Sequence, residues 1–156
     1  MLSAELPVRV LMIDDDVDLQ SVVGELLESN GFVFASAHSA KEGLAVLDRV
    51  RPDVVVLDVV MEDVFAGFRV LAWLRRNPDR ELALRWRQVP VVLMSGVQSA
   101  IGMQVLQDAP RALLPIDACL EKPAEPSRVL EAIRACLARS RSALRSLHEP
   151  SLADGA

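Results

Sequence analysis

The sequence predicts an α/β protein, a doubly wound sheet of five parallel strands with helices on both faces. Three observations carry that prediction. Short apolar runs alternate with amphipathic segments along the chain. The run from Asp53 to Leu57 (DVVVL) is apolar at nearly every position, as a central strand covered on both faces must be. The alternation repeats as βα units in series, without any internal sequence repeat.

The first strand is expected over Val8 to Ile13, and a helix follows from about Val17 to Asn30. Leu19, Val22, Val23, Leu26 and Leu27 recur at helical spacing and form one apolar face. Gly31 stands where a left-handed C-cap residue belongs. A short strand from Val33 to Ala37 comes next. Ser39 to Glu42 (SAKE) has the form of a capping box and opens a second helix carrying Leu44, Val46, Leu47 and Val50. Pro52 stops it. After the central strand, Val64 to Asn77 reads as a third helix with Phe68, Leu71, Ala72 and Leu74 inward. The polar stretch from Pro78 to Gln88 reads as an extended connection with some helix. Pro90 to Met94 is the fourth strand. A helix over Ala100 to Gln107 and an irregular stretch, DAPRALLP, lead to the fifth strand at Ile116 to Leu120. The last helix runs from Pro126 to Leu137, with Val129, Leu130, Ile133 and Leu137 on its buried side.

Ala138 to Leu147 can prolong that helix, with Leu137, Leu144 and Leu147 at near-heptad spacing. A frayed tail is the plainer reading, and a partner-binding or dimer helix is the other. Pro150 ends it, and SLADGA is expected to be disordered.

Composition narrows the function. The 156 residues suffice for one full hydrophobic core. The formal net charge of -5 argues against a nucleic-acid surface. The arginines from Arg134 to Arg145 come without an aromatic or helix-turn-helix signal. The apolar runs are too short to span a bilayer, and the N-terminus lacks a signal-peptide pattern. Cys119 and Cys136 have no metal-ligand spacing and read as free thiols in a reducing cytoplasm.

In a sheet of this kind, ligands bind at the carboxyl ends of the strands. Asp14, Asp15 and Asp16 follow the first strand, Asp58 the third, Ser95 and Gly96 the fourth, and Glu121, Lys122 and Pro123 the fifth. Each signal alone has an ordinary explanation. Asp16 is suited to the positive end of a helix, a lone Asp after a strand is commonly a cap, and a lone Lys is commonly solvated. Their coincidence on one edge is the informative fact. Carboxylates converging in a crevice repel one another unless a cation or protons relieve them. Hard oxygen ligands suit Mg²⁺ or Mn²⁺, which keep waters for a phosphate. A carboxylate can attack a phosphoryl group, a transfer that depends on positioning and on neutralising the equatorial oxygens. The metal, Lys122 and the Ser95 hydroxyl could each meet one part of that charge, and Gly96 leaves room.

The motifs VLMIDDD (Val10 to Asp16), VVVLDVVM (Val54 to Met61), VVLMSG (Val91 to Gly96) and LEKP (Leu120 to Pro123) resemble the receiver domain of two-component response regulators. The resemblance covers residues 8–137 and leaves 138–156 as a helical extension and tail. It implies the flavodoxin-like (βα)5 fold with strand order 2-1-3-4-5. It implies phosphorylation of Asp58 by a sensor histidine kinase with Mg²⁺, in the cytoplasm. Asp14 and Asp15 match the acidic metal pair, with Asp15 the direct ligand, and Val60 supplies a backbone carbonyl to the metal beside Asp58. Ser95 matches the switch hydroxyl and Lys122 the phosphate-binding lysine, with a cis bond to Pro123.

Some positions depart from that pattern. Glu62 stands where the family usually has proline, and the loop before Gly67 is one residue longer. The connections before the fourth and fifth strands are also longer. Cys119 replaces the usual aromatic residue; it is small enough to sit inward without a large rotamer swing. Val60 and Val97 occupy the positions that flank the path of the hydrolytic water. Either they exclude it and slow autodephosphorylation, or they merely pack the strand ends.

The residues after Leu137 are too few for an output domain, so a stand-alone receiver docking on an output protein is the leading expectation. The alternatives are a phosphorelay intermediate that passes its group to a histidine phosphotransfer protein, and a degenerate receiver scaffold. A homodimer through the last helix is compatible with each. An Asp-nucleophile phosphohydrolase ranks below them, because Val60 stands where its second acid belongs. A dinucleotide-binding fold ranks lower still, for want of G-x-G-x-x-G after the first strand.

Overall fold

A computed structural model describes residues 6–96 and 115–148. Strands β1 (Arg9–Ile13), β2 (Val33–Ala37), β3 (Val54–Asp58), β4 (Val91–Ser95) and β5 (Ala118–Glu121) form one parallel sheet in the order β2-β1-β3-β4-β5. The order and the α/β class are those expected. Every residue of β3 and β4 is buried, as their unbroken apolar sequence requires.

Alternation along the strands divides the core into two layers. Leu11, Ile13, Val55, Leu57 and Leu93 face one side, against α2 (Ala40–Val50), α3 (Ala66–Arg76) and α4 (Arg80–Trp86). Val10, Met12, Val54, Val56 and Met94 face the other, against α1 (Val17–Ser29) and α5 (Pro126–His148). Fully burying one such aliphatic side chain contributes about 1.5–3 kcal/mol, so these two layers hold the strand ends in register.

Helix ends follow the chemistry of their capping residues. Asp16 caps α1 by accepting the Leu19 N–H at 2.9 Å. At its other end the Phe32 N–H donates to Leu27 O and the Gly31 N–H to Glu28 O, with Gly31 at φ 84°. That is a Schellman closure, which needs the left-handed conformation glycine adopts without strain. Ser39 caps α2 through the Glu42 N–H, while the Glu42 carboxylate reaches back to the His38 N–H at 2.7 Å.

Several boundaries differ from expectation. β3, β4 and β5 each extend one residue further toward the carboxyl edge than the sequence suggested, placing Asp58, Ser95 and Glu121 inside the strands. Met94 O accepts the Val59 N–H and Ser95 O the Lys122 N–H, so pairing continues past the apolar runs. Helix α3 begins at Ala66, not Val64, because Asp63 Oδ1 accepts the Phe65 N–H and holds a turn before the helix. The helix expected within the polar connection is α4, which takes up most of it and is capped by Asp79 through the N–H groups of Glu81 and Leu82. Helix α5 does not fray after Leu137; it continues to His148, carried by its own backbone ladder. The helix expected over Ala100 to Gln107, Val97 and SLADGA lie outside the described residues.

Candidate functional site

Helix α1 begins four residues after β1 ends, and the intervening turn presents Asp14 and Asp15 at the carboxyl edge. Asp14 is fully buried. Its N–H donates to Ala37 O at 3.0 Å, and its Oδ1 accepts the Asp16 N–H at 2.9 Å. Gln20 secures this corner from α1: its Nε2 donates to Ala37 O at 2.8 Å and to Met12 O at 3.3 Å. The amide thus ties the ends of β1 and β2 to each other just beneath Asp14. The sequence reading missed Gln20, although a polar residue in line with Val23 and Leu27 on the buried face of α1 was the available signal.

Asp58 ends β3 and is 5% exposed. One oxygen each from Asp14, Asp15 and Asp58 can lie within 4.8 Å of the others, with Asp14 and Asp58 buried and Asp15 exposed. Lys122 closes the cluster from the far side. Its Nζ donates to Asp58 Oδ2 at 3.1 Å and lies 2.8 Å from Asp14 Oδ2. The second contact is a buried ion pair, so the Lys122 ammonium is shared between Asp14 Oδ2 and Asp58 Oδ2.

Three carboxylates face one ammonium, and the electrostatics show it. Burial, reinforced by the neighbouring Asp14 and opposed by Lys122, raises the Asp58 carboxyl to about 6. Burial works against the Lys122 charge, but Asp14 and Asp58 more than offset it and hold the ammonium above its ordinary range. Buried Asp14 and Asp58 carboxylates that share the Lys122 ammonium, an acidic oxygen of Asp15 nearby and an all-oxygen donor set fit a hard divalent cation.

The loop after Asp58 is fixed to the same corner. The Val60 N–H donates to Asp58 Oδ1 at 3.3 Å. Gly67 N–H donates to Val59 O at 2.9 Å, and a Cβ at Gly67 would collide with the Asp58 carbonyl oxygen and lie 2.7 Å from Val59 Cα. Only glycine lets α3 approach the strand end this closely. Glu62 has a role that the sequence did not disclose. Its Oε1 accepts the Ala40 N–H at 2.9 Å, one of the unpaired donors in the first turn of α2. The loop is thereby pinned across the top of β1 to the neighbouring helix.

Ser95 is buried at the end of β4, and its carbonyl accepts the Lys122 N–H at 2.7 Å. The Lys122–Pro123 bond is cis, as the motif implied. Cys119 is exposed and not inward as expected: Ala118 and Leu120 pack toward α5, and Cys119 lies on the opposite face of edge strand β5, level with Leu93. Its thiol still hydrogen-bonds to Ser95, and burial raises its pKa despite that bond. The structure therefore brings Asp14, Asp15, Asp58 and Lys122 into one cluster, with Ser95 joined to Lys122 through the backbone.

Residues 10–134 match the response regulator receiver domain family. The transcriptional regulatory protein TrcR of Mycobacterium tuberculosis is 38% identical over 71 residues, covering 46% of this chain and 27% of that protein. The transcriptional regulatory protein CpxR of Escherichia coli is 31% identical over 136 residues, covering 85% of this chain and 50% of its own length. The chain thus spans about half or less of these two relatives. A CheY-like response regulator receiver domain protein from Methanospirillum hungatei superposes with a TM-score of 0.70 at 21% identity, over 88% of this chain and 98% of that one. No helix among the described residues is long and apolar enough to cross a membrane. By sequence match and by fold, the chain belongs to the response regulator receiver domain family of two-component systems.

Proposed function

We propose that Asp58 is the phospho-acceptor of this receiver, taking its phosphoryl group from a phosphohistidine of a sensor histidine kinase or histidine phosphotransfer protein. The observation that carries the reading is the cluster of buried Asp14 and Asp58 with exposed Asp15, opposed among the described residues by Lys122. An Asp58 oxygen forms the new P–O bond as the P–N bond of the donor breaks, and the imidazole nitrogen leaves with the electron pair. Mg²⁺ or Mn²⁺, held by Asp14, Asp15, Asp58 and the Val60 carbonyl, would neutralise phosphoryl oxygens and offset the carboxylate repulsion. Lys122 already touches Asp58 Oδ2 and is placed to follow the charge onto a phosphoryl oxygen. The Ser95 hydroxyl is the donor for another oxygen, and its movement would carry the signal to a docked output protein. Read-out by docking accords with a family that works as a signalling module.

Incubation with acetyl phosphate and Mg²⁺, followed by intact-mass measurement, tests this. Wild type should gain the mass of one phosphoryl group, and Asp58→Asn should gain none. Wild type without any gain, or a variant labelled as fully, would overturn the assignment.

A further inference from the structure

Gln20 is 3% exposed, a polar side chain on the face of α1 that buries Val23 and Leu27. As a source of stability it is a poor choice. Its Nε2 donates to Ala37 O at 2.8 Å, but that carbonyl already accepts the Asp14 N–H at 3.0 Å. Its other bond, to Met12 O, is long at 3.3 Å. Its Oε1 is buried and accepts no hydrogen bond among the described residues. A buried amide with an unmet acceptor costs free energy that an apolar side chain of the same length would not.

What the amide secures is direction. The turn from Asp14 to Asp16 hangs between two supports, the end of β2 and the first turn of α1. At the first support, the Asp14 N–H is held by Ala37 O. At the second, Asp16 Oδ1 accepts the Leu19 N–H at 2.9 Å and Asp16 O accepts the Gln20 N–H at 3.0 Å. Gln20 joins the two: its backbone holds Asp16, and its side chain holds Ala37 and Met12. It thereby fixes the start of α1 against the strand ends, and with it the angle at which Asp14 and Asp15 leave the turn.

On the reading that the acidic cluster holds Mg²⁺, we infer that Gln20 is a positioning residue for the cation. It acts through Asp14 and Asp15 and favours Mg²⁺ over Ca²⁺. Mg²⁺ demands near-octahedral ligand directions, whereas Ca²⁺ accepts more ligands in a flexible geometry. Loosening the turn that carries two of the carboxylates therefore penalises Mg²⁺ more than Ca²⁺.

Isothermal titration calorimetry of the full chain with magnesium chloride and with calcium chloride tests this. Gln20→Met keeps the length of the side chain and removes both the donors and the unmet acceptor. It should melt no lower than wild type, bind Mg²⁺ about tenfold more weakly, and bind Ca²⁺ within about twofold of wild type. Labelling by acetyl phosphate should need about tenfold more Mg²⁺ for its half-maximal rate and approach the wild-type rate at saturation. Val23→Ala loosens the same face of α1 without touching the amide, so it should melt lower and keep the wild-type affinity for Mg²⁺. Unchanged Mg²⁺ affinity in Gln20→Met, equal losses for the two cations, or a matching Mg²⁺ loss in Val23→Ala would each overturn the inference and leave Gln20 a packing residue. Wild type that binds no Mg²⁺ would overturn the metal reading beneath it as well, so the two failures are told apart by the wild-type titration.

Discussion

Replacing Asp58 by Asn should stabilise the metal-free protein at neutral and alkaline pH. Asp58 is 5% exposed, and its carboxyl is raised from 3.8 to about 6 by burial, then by Asp14, against the pull of Lys122. A carboxyl whose folded-state pKa lies above its unfolded value binds its proton more tightly in the folded state. Its contribution is therefore most favourable below pH 3.8, falls as pH rises toward about 6, and stays unfavourable above that. At 1.36 kcal/mol per pKa unit, the gap corresponds to about 3 kcal/mol at most. Asn preserves the shape and can still accept from Lys122 Nζ, so it removes the charge with little loss of packing. We expect Asp58→Asn to be more stable than wild type by about 1–3 kcal/mol in EDTA near pH 8, a rise of roughly 2–4 °C in Tm per kcal/mol. The difference should shrink toward pH 4, where wild-type Asp58 is neutral in the folded state. Mg²⁺ should raise the wild-type Tm more than that of the variant, since binding to the native state stabilises it. Circular dichroism melts of both proteins across pH, with EDTA or Mg²⁺, measure all of this. A variant that melts below wild type in EDTA near pH 8 would refute the reasoning, as would a difference that does not change with pH.

Two other substitutions probe the loop after Asp58. Gly67→Ala should destabilise the protein by roughly 1–3 kcal/mol in urea unfolding, because the new Cβ meets backbone atoms of Asp58 and Val59 that cannot rotate away. It should also slow labelling by acetyl phosphate, since the strand end must shift to admit it. Val60→Asn should hasten decay of the phosphorylated protein, followed by loss of the added mass with time, by offering a hydrogen bond to an incoming water that valine cannot. An unchanged decay rate would leave Val60 a packing residue.

The sheet and the cluster were legible because their signals are local. An apolar run of five residues ending in Asp needs no knowledge of its partners to be read as a strand with a carboxylate at its edge. Lys122 is far from Asp58 in sequence, yet the rule that strand ends share one edge places it there. The residues that escaped act across the chain. Glu62 looked like the loss of a proline, but its carboxylate accepts an N–H donor 22 positions earlier, at the start of α2. Gln20 holds two strand ends through one amide, a contact that exists only once β1 and β2 are paired. Cys119 was misjudged because its direction depends on which face of β5 meets α5, and alternation alone does not say which face is covered. The helical extension past Leu137 was legible, although a frayed tail was the plainer reading. Arg, Ser and Ala form helices adequately at an exposed surface, so a polar stretch after Leu137 does not signal an end.

These late-found contacts divide the work between the two ends of the sheet. At the carboxyl edge, Gln20, Gly67 and Glu62 fix backbone around a charge-frustrated cluster, so the repulsion among Asp14, Asp15 and Asp58 cannot relax by moving the strands. The repulsion is left for a cation to relieve. At the amino edge the charges are met within the fold. Arg75 uses four carbonyls and Asp117 to seal the ends of β4 and β5, and Arg85 pairs with Asp48 at 3.2 Å. One end of the molecule is left short of positive charge and the other is braced, which is why chemistry is assigned to the first.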